Sequence, residues 1–378
     1  MPEKSSSTVT LVAGGDIGPI HAPTEKFAEL ILPELQKADL RFGQCERTYS
    51  ERGWLPEYAN GPGGNLTRLH PDYASVWEKS GMDIISLASN HAMDWGPEAV
   101  LDTADMFRRM GKHVIGAGKD GEEARKPAIV ERNGVKIAFL AYCSVLRDGQ
   151  AAGDGKAGIA PMRAHTYYAP EEFQPGTPPK IITEPYAEDI KALQDDVRKA
   201  KKLADVVIMS IHWGLRHVPK TICTYQEPVA HAAIDAGVDL ILGHHAHSIK
   251  AIEVYKGKVC FYSIGNFMTT GSNKRTSGTF DWNLIWFPID KECLPPHGMY
   301  QFPTHCRKTM LAKAVISKKG IDRVSFLPCF INNMAQPYVV TPDDPKFQEI
   351  VDWTEWVSDQ HPHKLRVEGN EVVVDTTT

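Results

Sequence analysis

The stretch from Asp239 to Lys250, DLILGHHAHSIK, joins a short apolar strand directly to three histidines. The apolar run predicts a buried strand that ends near His244. Imidazole side chains at the end of such a strand contribute little unless something binds them. Strand alternation would place His245 and His247 on the same side of the chain. We therefore interpret this stretch as one part of a metal site whose other ligands follow other strands.

The overall composition is that of an ordinary globular enzyme. The chain has 378 residues, 42% of them hydrophobic and 24% charged, which is enough for a large core. The net charge of −5 and the lack of a basic stripe argue against nucleic-acid binding. No apolar run reaches signal-peptide or membrane-spanning length, so we expect a cytoplasmic protein with no membrane partner. The seven cysteines form no CxxC pair, and we expect reduced thiols.

Most of the chain repeats one pattern, in which a short β-branched strand leads into a polar loop and then a helix. This pattern predicts an α/β fold, with one domain over residues 1–378. Two segments, 148–185 and 271–307, are rich in Gly and Pro or Gly and Ser, and we expect them to be long insertions over one face. The individual predictions include a first strand ending at Asp16, a strand reaching Ala88, helices from Ala187 to Leu203 and up to Gly237, and a hairpin across Lys256 and Gly257.

Side chains that can bind metal ions recur where these strands end. The carboxyl ends of parallel strands meet at one edge of a sheet, so residues distant in sequence can converge there. Carboxylates, amide oxygens and imidazoles suit zinc, manganese or iron, and a set without thiolates favours an open catalytic site. The predicted metal ligands are Asp16, Glu46, Asn90, His212, His245 and His247.

Taken singly, these residues also have structural explanations. The alternatives are a turn at Asp16, a solvated strand end at Glu46, a helix cap at Asn90 and His91, and a satisfied core histidine at His212. The pair His245 and His247 is harder to explain in this way, and the set as a whole favours a metal site.

Several motifs resemble the capsule-biosynthesis CapA family, also called poly-γ-glutamate synthesis proteins, of the metallo-dependent phosphatase (calcineurin-like) superfamily. The motifs are GGDIG, SLASNHAMDWG, HWG and YQEPVAHAAIDAGVDLILGHHAHSIKAIEVYKGKVCFYSIGNF. The resemblance runs from Thr8 to Phe267 and is densest from Asp205 onward. It implies one metallophosphatase-like domain, built as a four-layer α/β/β/α sandwich of two mixed sheets. It also implies a centre of two divalent ions (manganese, zinc or iron) at the sheet edge.

The same resemblance assigns a role to each predicted ligand. Asp16 corresponds to the aspartate of the first metal motif, and Glu46 to the carboxylate that bridges the two ions. The other correspondences are Asn90 and His91 with the Asn-His motif, His212 with the isolated metal histidine, and His245 and His247 with the final His-x-His. His244 would lie beside the ligands and not among them.

The chain departs from the family pattern at two places near the site. Superfamily members typically have Asp-x-His at the first motif, whereas Gly18 stands two residues after Asp16. One ion would then lack an imidazole unless His21 or water replaces it. Family sequences commonly continue HWG with an acidic residue and Tyr, whereas this chain has Arg216 and His217. A more basic pocket of this kind suggests a small or short-chain anionic substrate.

The expected chemistry is hydrolysis by a metal-bound hydroxide, because two neighbouring ions lower the pKa of a water held between them. We expect His91 to be the general acid, oriented by Asp94, although Asp94 can also cap the following helix. The predicted substrate-binding residues are Arg47, Arg216, His217 and Lys220, each of which can equally be a solvated surface residue.

The sequence leaves the cleaved bond and two other functions open. Superfamily membership favours a phosphoester, whereas the poly-γ-glutamate association favours an amide or γ-glutamyl bond. A non-catalytic component of poly-γ-glutamate or capsule assembly is one alternative, supported by the missing first-motif histidine. A metal-dependent lyase acting on a small anionic metabolite is the other, supported by the basic pocket and the long insertions.

Overall fold

The computed structural model describes residues 8–54, 68–271 and 288–377, and two mixed β-sheets dominate them. Strands and helices are numbered in chain order. The ten-stranded sheet contains β1 (Val9–Gly18), β2 (Leu40–Cys45), β5 (Ile84–Ser86), β6 (His113–Ile115), β17 (Asn266–Thr269), β18 (Lys308–Ser317), β19 (Gly320–Ile331), β20 (Pro337–Val339), β21 (Leu365–Glu368) and β22 (Glu371–Val374). The six-stranded sheet contains β8 (Ala128–Arg132), β9 (Val135–Cys143), β13 (Val206–His212), β14 (Leu240–His244), β15 (Ile252–Tyr255) and β16 (Lys258–Phe261).

Three short ladders and seven α-helices complete the described elements. The ladders pair β3 (Thr48–Tyr49) with β4 (Arg68–Leu69), β7 (Ala117–Gly118) with β10 (Gly158–Ile159), and β11 (Ala164–Ala169) with β12 (Lys180–Pro185). The helices are α1 (Leu32–Leu35), α2 (Ser75–Ser80), α3 (Gly96–Arg109), α4 (Gly121–Ala124), α5 (Ala187–Lys201), α6 (Gln226–Ala236) and α7 (Pro345–Ser358). Short 3₁₀ helices span Thr24–Ala28, Pro71–Ala74, Lys291–Cys293 and Thr304–Arg307. Within the described residues, none of the helices combines the length and the apolar character that crossing a membrane requires.

Each sheet combines a parallel part with antiparallel strands. The ten-stranded sheet has the order β21-β22-β19-β18-β1-β2-β5-β6, in which β1, β2, β5 and β6 are parallel. The six-stranded sheet has the order β15-β16-β14-β13-β9-β8, in which β16, β14, β13 and β9 are parallel. The parallel strands of each sheet end at a common edge, and this is where the site lies.

The hydrophobic core explains why the strands of the six-stranded sheet are continuously apolar. Along β9, Ile137 and Phe139 belong to a core cluster that also contains residues of the ten-stranded sheet. Ala138 and Leu140 point the other way and pack in a second cluster with residues of α5 and α6. Both faces of this sheet are therefore buried, as expected for a parallel sheet. The predicted α/β class with mixed sheets is confirmed.

Helix and hairpin signals in the sequence agree closely with the structure. Helix α5 ends at Lys201, two residues before the predicted Leu203. Helix α6 is capped by Gly237, which has a φ of 123°. Lys256 and Gly257 have φ values of 50° and 72°, the left-handed conformation that a two-residue hairpin turn requires.

The two segments predicted to be insertions differ in what they contain. Segment 148–185 contains β10, which pairs with β7, and the hairpin β11–β12, which its Gly and Pro content does not indicate. Segment 271–307 is described at residue 271 and from 288 onward, and the prediction for 272–287 lies outside the described residues.

Candidate metal centre

The predicted ligands converge where the two sheets meet. Asp16 lies near the end of β1, Glu46 follows β2, and Asn90 follows β5. From the other sheet, His212 is the last residue of β13 and pairs in register with His244, the last residue of β14. The site is therefore built from strand ends, as the pattern of polar residues predicted.

The carboxylate of Glu46 lies between two groups of ligands. Its Oε1 is 3.1 Å from Nε2 of His212, and its Oε2 is 3.9 Å from Nε2 of His247. We call Glu46, Asn90, His212 and His245 the four-donor half of the site. We call Asp16 and His247, together with the second oxygen of Glu46, the Asp16 half.

In the four-donor half, the side chains surround the ring of His212. Its Nε2 is 2.8 Å from Oδ1 of Asn90 and 3.1 Å from Nδ1 of His245. Burial lowers the pKa of His212 well below its usual value. Burial, together with the neighbouring charge on His247, lowers the pKa of His245 to about 3. Both imidazoles are therefore neutral near pH 7, which is the form that binds metal ions.

In the Asp16 half, the Asp16 carboxylate faces the imidazole of His247. Oδ2 of Asp16 is 3.3 Å from Nδ1 of His247, and this nitrogen is also 2.7 Å from Oδ1 of Asn266. Burial raises the pKa of the Asp16 carboxyl, but the rings of His247 and of His244, whose Nδ1 is 3.6 Å from Oδ1, outweigh burial and lower the pKa well below its usual value. Burial lowers the pKa of His247, but Asp16 and Glu46 outweigh it and raise the pKa.

The donor set fits a divalent cation. The ligand atoms of Asp16, Glu46 and His212 lie within 4.8 Å of one another, and all three residues are buried. Oδ1 of Asp16 has no hydrogen-bond partner among the described residues although it is inaccessible to solvent. The facing atoms are carboxylate and amide oxygens and imidazole nitrogens, which suit zinc, manganese or iron. The residues present are therefore those of a candidate metal-binding site.

The two histidines after β14 are oriented by a turn. Strand β14 ends at His244, and His245 and His247 have φ values of 87° and 56°. Our expectation that strand alternation brings them to one side is therefore wrong, although they do meet at the same site. Positive φ is uncommon for residues other than glycine and costs free energy, so it persists mainly where the surrounding structure imposes it.

The pair His91 and Asp94 has the geometry of an oriented imidazole. Nδ1 of His91 is 2.7 Å from Oδ2 of the buried Asp94. The hydroxyl of Thr48 donates to the carbonyl of His91 at 3.1 Å and fixes the backbone. Helix α3 has Trp95 at its N-cap and no side-chain cap, so Asp94 orients the ring and does not cap the helix.

Two of the predicted substrate-binding residues are buried beside the ligands. The guanidinium of Arg47 donates to the carbonyls of Glu46 at 3.0 Å and Thr270 at 3.2 Å. The ring of His217 is buried with its centroid 5.4 Å from that of His247.

The other two predicted substrate-binding residues differ in position. Arg216 is exposed, and its charge contributes to the lowered pKa of His245, which places it near the four-donor half. Lys220 forms an ion pair of 2.5 Å with Asp359, which follows α7, and lies over the ring of Trp356. The structure therefore gives Lys220 partners away from the ligands.

Sequence reasoning did not assign two residues that contact the ligands. Asn266 bonds to Nδ1 of His247 and donates to the hydroxyl of Tyr300 at 2.8 Å. Phe302, from the second insertion, packs with its ring centroid 5.0 Å from that of His247. A polar residue directly before the apolar Phe267 and Met268 was a usable sequence signal for Asn266, whereas nothing local marks Phe302.

Comparisons with known proteins agree with the motifs. The family described as "Bacterial capsule synthesis protein PGA_cap" matches residues 10–270. The "PGA biosynthesis protein CapA" of Bacillus subtilis is 36% identical over 225 residues, which are 59% of this chain and 51% of that protein. The "Capsule biosynthesis protein CapA" of Bacillus anthracis is 30% identical over 50% of this chain and 41% of its own length.

A third relative has a lower sequence identity. A "Probable polyglutamine synthesis accessory protein" of Mycobacterium tuberculosis is 28% identical over 53% of this chain and 48% of its own length. The chain thus spans about half the length of the curated relatives it matches. Among solved structures, "GAP50 the anchor in the inner membrane complex of Plasmodium" covers 85% of both chains at 11% identity. Its TM-score of 0.35 is too low to carry an argument.

Proposed function

The chain belongs to the bacterial capsule synthesis family PGA_cap, and from that premise we propose that it is a metal-dependent hydrolase. Its proposed substrate is a small or short-chain anion with an amide, γ-glutamyl or phosphoester bond. The observation that carries the proposal is the position of Glu46, whose two oxygens face imidazoles from the two halves of the site. A carboxylate in this position offsets the charge of ions bound on either side of it.

The residues of the two halves would hold up to two divalent ions. When bound, such ions would lower the pKa of water and polarise a carbonyl or phosphoryl oxygen. Nδ1 of His91 is engaged by Asp94, so Nε2 is left to donate a proton to the leaving group. Arg216 is exposed near the four-donor half and would attract the anionic group of the substrate.

We also propose the four-layer arrangement that the resemblance implies. The core cluster shared by the two sheets supports two central layers in contact. The second cluster, which joins the six-stranded sheet to α5 and α6, supports an outer helical layer on that side.

A second candidate function is a non-catalytic component of capsule or polymer assembly. The names of the relatives refer to biosynthesis and to an accessory role, which favours this alternative. Gly18, which supplies no side chain to the Asp16 half, also favours it.

Metal content and hydrolysis, measured together, separate the two candidates. Protein purified without chelator is analysed for metals. It is then assayed with Mn²⁺, Zn²⁺ or Fe²⁺ on γ-glutamyl-p-nitroanilide and on p-nitrophenyl phosphate and its diester. Glu46→Gln is the matched control, because it keeps the shape of the side chain and removes its charge.

We expect bound metal and hydrolysis of one substrate class in the wild-type protein, with both reduced in Glu46→Gln. Folded protein that binds metal but cleaves neither class would favour the assembly role. Folded protein that contains no metal, and gains none from added ions, would contradict the metal centre itself.

A further inference from the structure

The two halves of the site offer unequal numbers of ligands. The four-donor half has a carboxylate, an amide oxygen and a second imidazole, each within 3.1 Å of Nε2 of His212. The Asp16 half has Asp16, His247 and the more distant oxygen of Glu46, which is 3.9 Å from the His247 ring. Nδ1 of His247 is engaged by Asn266, so His247 offers an ion only its Nε2. A second ion in this half would therefore need a further ligand.

Gly18 is the position from which that ligand is missing. It lies on β1, two residues after Asp16, and its φ is not in the left-handed region, so the backbone does not require glycine. Space does require it. A Cβ at position 18 would lie 2.8 Å from Cγ of Arg47 and 3.2 Å from Cβ of Glu46. The Arg47 side chain thus fills the volume that a ligand at position 18 would enter.

Arg47 also brings a positive charge to this place. The side chain is 5% exposed, and Nε lies 3.3 Å from the position of the missing Cβ. Among the described residues, the guanidinium donates to the main-chain carbonyls of Glu46 and Thr270, and Nε has no acceptor there. Among the ion pairs of the described residues, none neutralises Arg47. A guanidinium without an ion-pair partner beside Gly18 would oppose the binding of a second dication next to this position.

We infer that Arg47 takes the place of a second metal ion and its missing ligand. The centre then holds one tightly bound divalent ion in the four-donor half, and the guanidinium supplies a fixed positive charge beside the Asp16 half. This inference rests on the proposed metal centre and refines it. Gly18 and Arg47 form one unit, because the small residue makes room for the large cation.

A double-mutant cycle on Gly18 and Arg47 tests the inference with metal binding as the readout. Apo protein is titrated with Mn²⁺ alone, and stoichiometry is measured by elemental analysis after desalting. Electron paramagnetic resonance then reports whether two bound Mn²⁺ ions are spin-coupled. The four proteins are the wild type, Gly18→His, Arg47→Ala and the double variant, with folding checked by circular dichroism.

The wild type is expected to retain about one Mn²⁺ per chain, and the double variant about two with a coupled signal, because it gains an imidazole and loses the repelling charge. Arg47→Ala alone is expected to bind its second ion at least about tenfold more tightly than the wild type. Gly18→His alone is expected to be destabilised by the clash with Arg47 and to retain no more than one ion.

A variant with a long, uncharged side chain at position 47 distinguishes steric blocking of position 18 from charge repulsion. Gly18→His combined with Arg47→Met removes the charge but leaves a long side chain in the same volume, so it is expected to retain one ion. Two ions in that protein would show that the Arg47 side chain does not block position 18. Two tightly bound ions in the wild type would overturn the inference and leave the proposed function intact. No ion in any of the folded proteins would overturn the metal centre as well.

Discussion

The two halves of the site contain similar side chains at the same sheet edge, yet they differ in charge. In the four-donor half, burial lowers the pKa values of His212 and His245 and keeps both imidazoles neutral, so that Glu46 is the charged member of the four. In the Asp16 half, burial lowers the pKa of His247, but the Asp16 carboxylate, whose Oδ2 lies 3.3 Å from Nδ1, outweighs burial and raises it. If Arg47 takes the place of a second ion, counting the ligands of a motif overestimates the number of ions that the site binds. What distinguishes the halves is whether a neighbouring carboxylate raises the pKa of the histidine or burial lowers it.

Removing one histidine from each half gives the largest expected difference. His212→Ala should lose nearly all of the bound metal and the activity, because the Nε2 of His212 contacts three of the other side chains. His247→Ala should retain most of the tightly bound ion. Elemental analysis of the two purified variants measures the contrast.

Thermal unfolding supplies the control for this pair of variants. Loss of the ion should lower the stability of His212→Ala by the metal-linked part only, about 3 kcal/mol when free metal exceeds its Kd a hundredfold. The wild type in chelator should then unfold at a similar temperature. Equal metal loss in both variants would mean that the two halves act as one site.

Sequence reasoning located the elements, and named side chains that the fold brings together, better than it described their surroundings. Short strands such as β13 and β14 were recognisable because both faces are buried, and Lys256-Gly257 fixed its hairpin through local backbone preference. The sequence did not reveal that Arg47 fills the space beside Gly18. That contact joins two strands whose register and bulge exist only in the folded sheet.

Removing the proposed general acid, His91, should have the next largest effect. His91→Asn should lower kcat by about 10²–10⁴-fold, because it removes the proposed general acid. Metal content should stay unchanged, since His91 bonds to Asp94 and not to the predicted ligands. Rates with substrates of different leaving-group pKa measure the effect, and good leaving groups should reduce it. A uniform loss across leaving groups, or a matching loss of metal, would assign His91 to a structural role.

Removing the charge that attracts an anionic substrate, at Arg216, should have a smaller effect than the loss of the general acid. Arg216 is exposed near the four-donor half, so Arg216→Glu should raise KM for an anionic substrate with little change in metal content. A charge-assisted contact is worth roughly 1.5–3 kcal/mol, or about ten- to a hundredfold in affinity. Steady-state kinetics at constant ionic strength measure the change, with Arg216→Gln as the neutral control. An unchanged KM in both variants would place this arginine outside the substrate site.

The smallest effect is expected at Lys220, which the sequence grouped with Arg216. Its ammonium is held by Asp359 at 2.5 Å and lies over the Trp356 ring, so its charge is already neutralised by residues of the α7 region. Lys220→Ala should therefore leave KM within about twofold of the wild type, and the partly exposed ion pair should contribute less than about 1 kcal/mol to stability. Asp359→Ala, which removes the partner and keeps the lysine, should have a similarly small effect on stability.

KM measured for both variants shows whether Lys220 binds substrate. A rise in KM for Lys220→Ala comparable to that for Arg216→Glu would show that the lysine leaves Asp359 to bind substrate. The anionic pocket would then extend from the four-donor half toward α7.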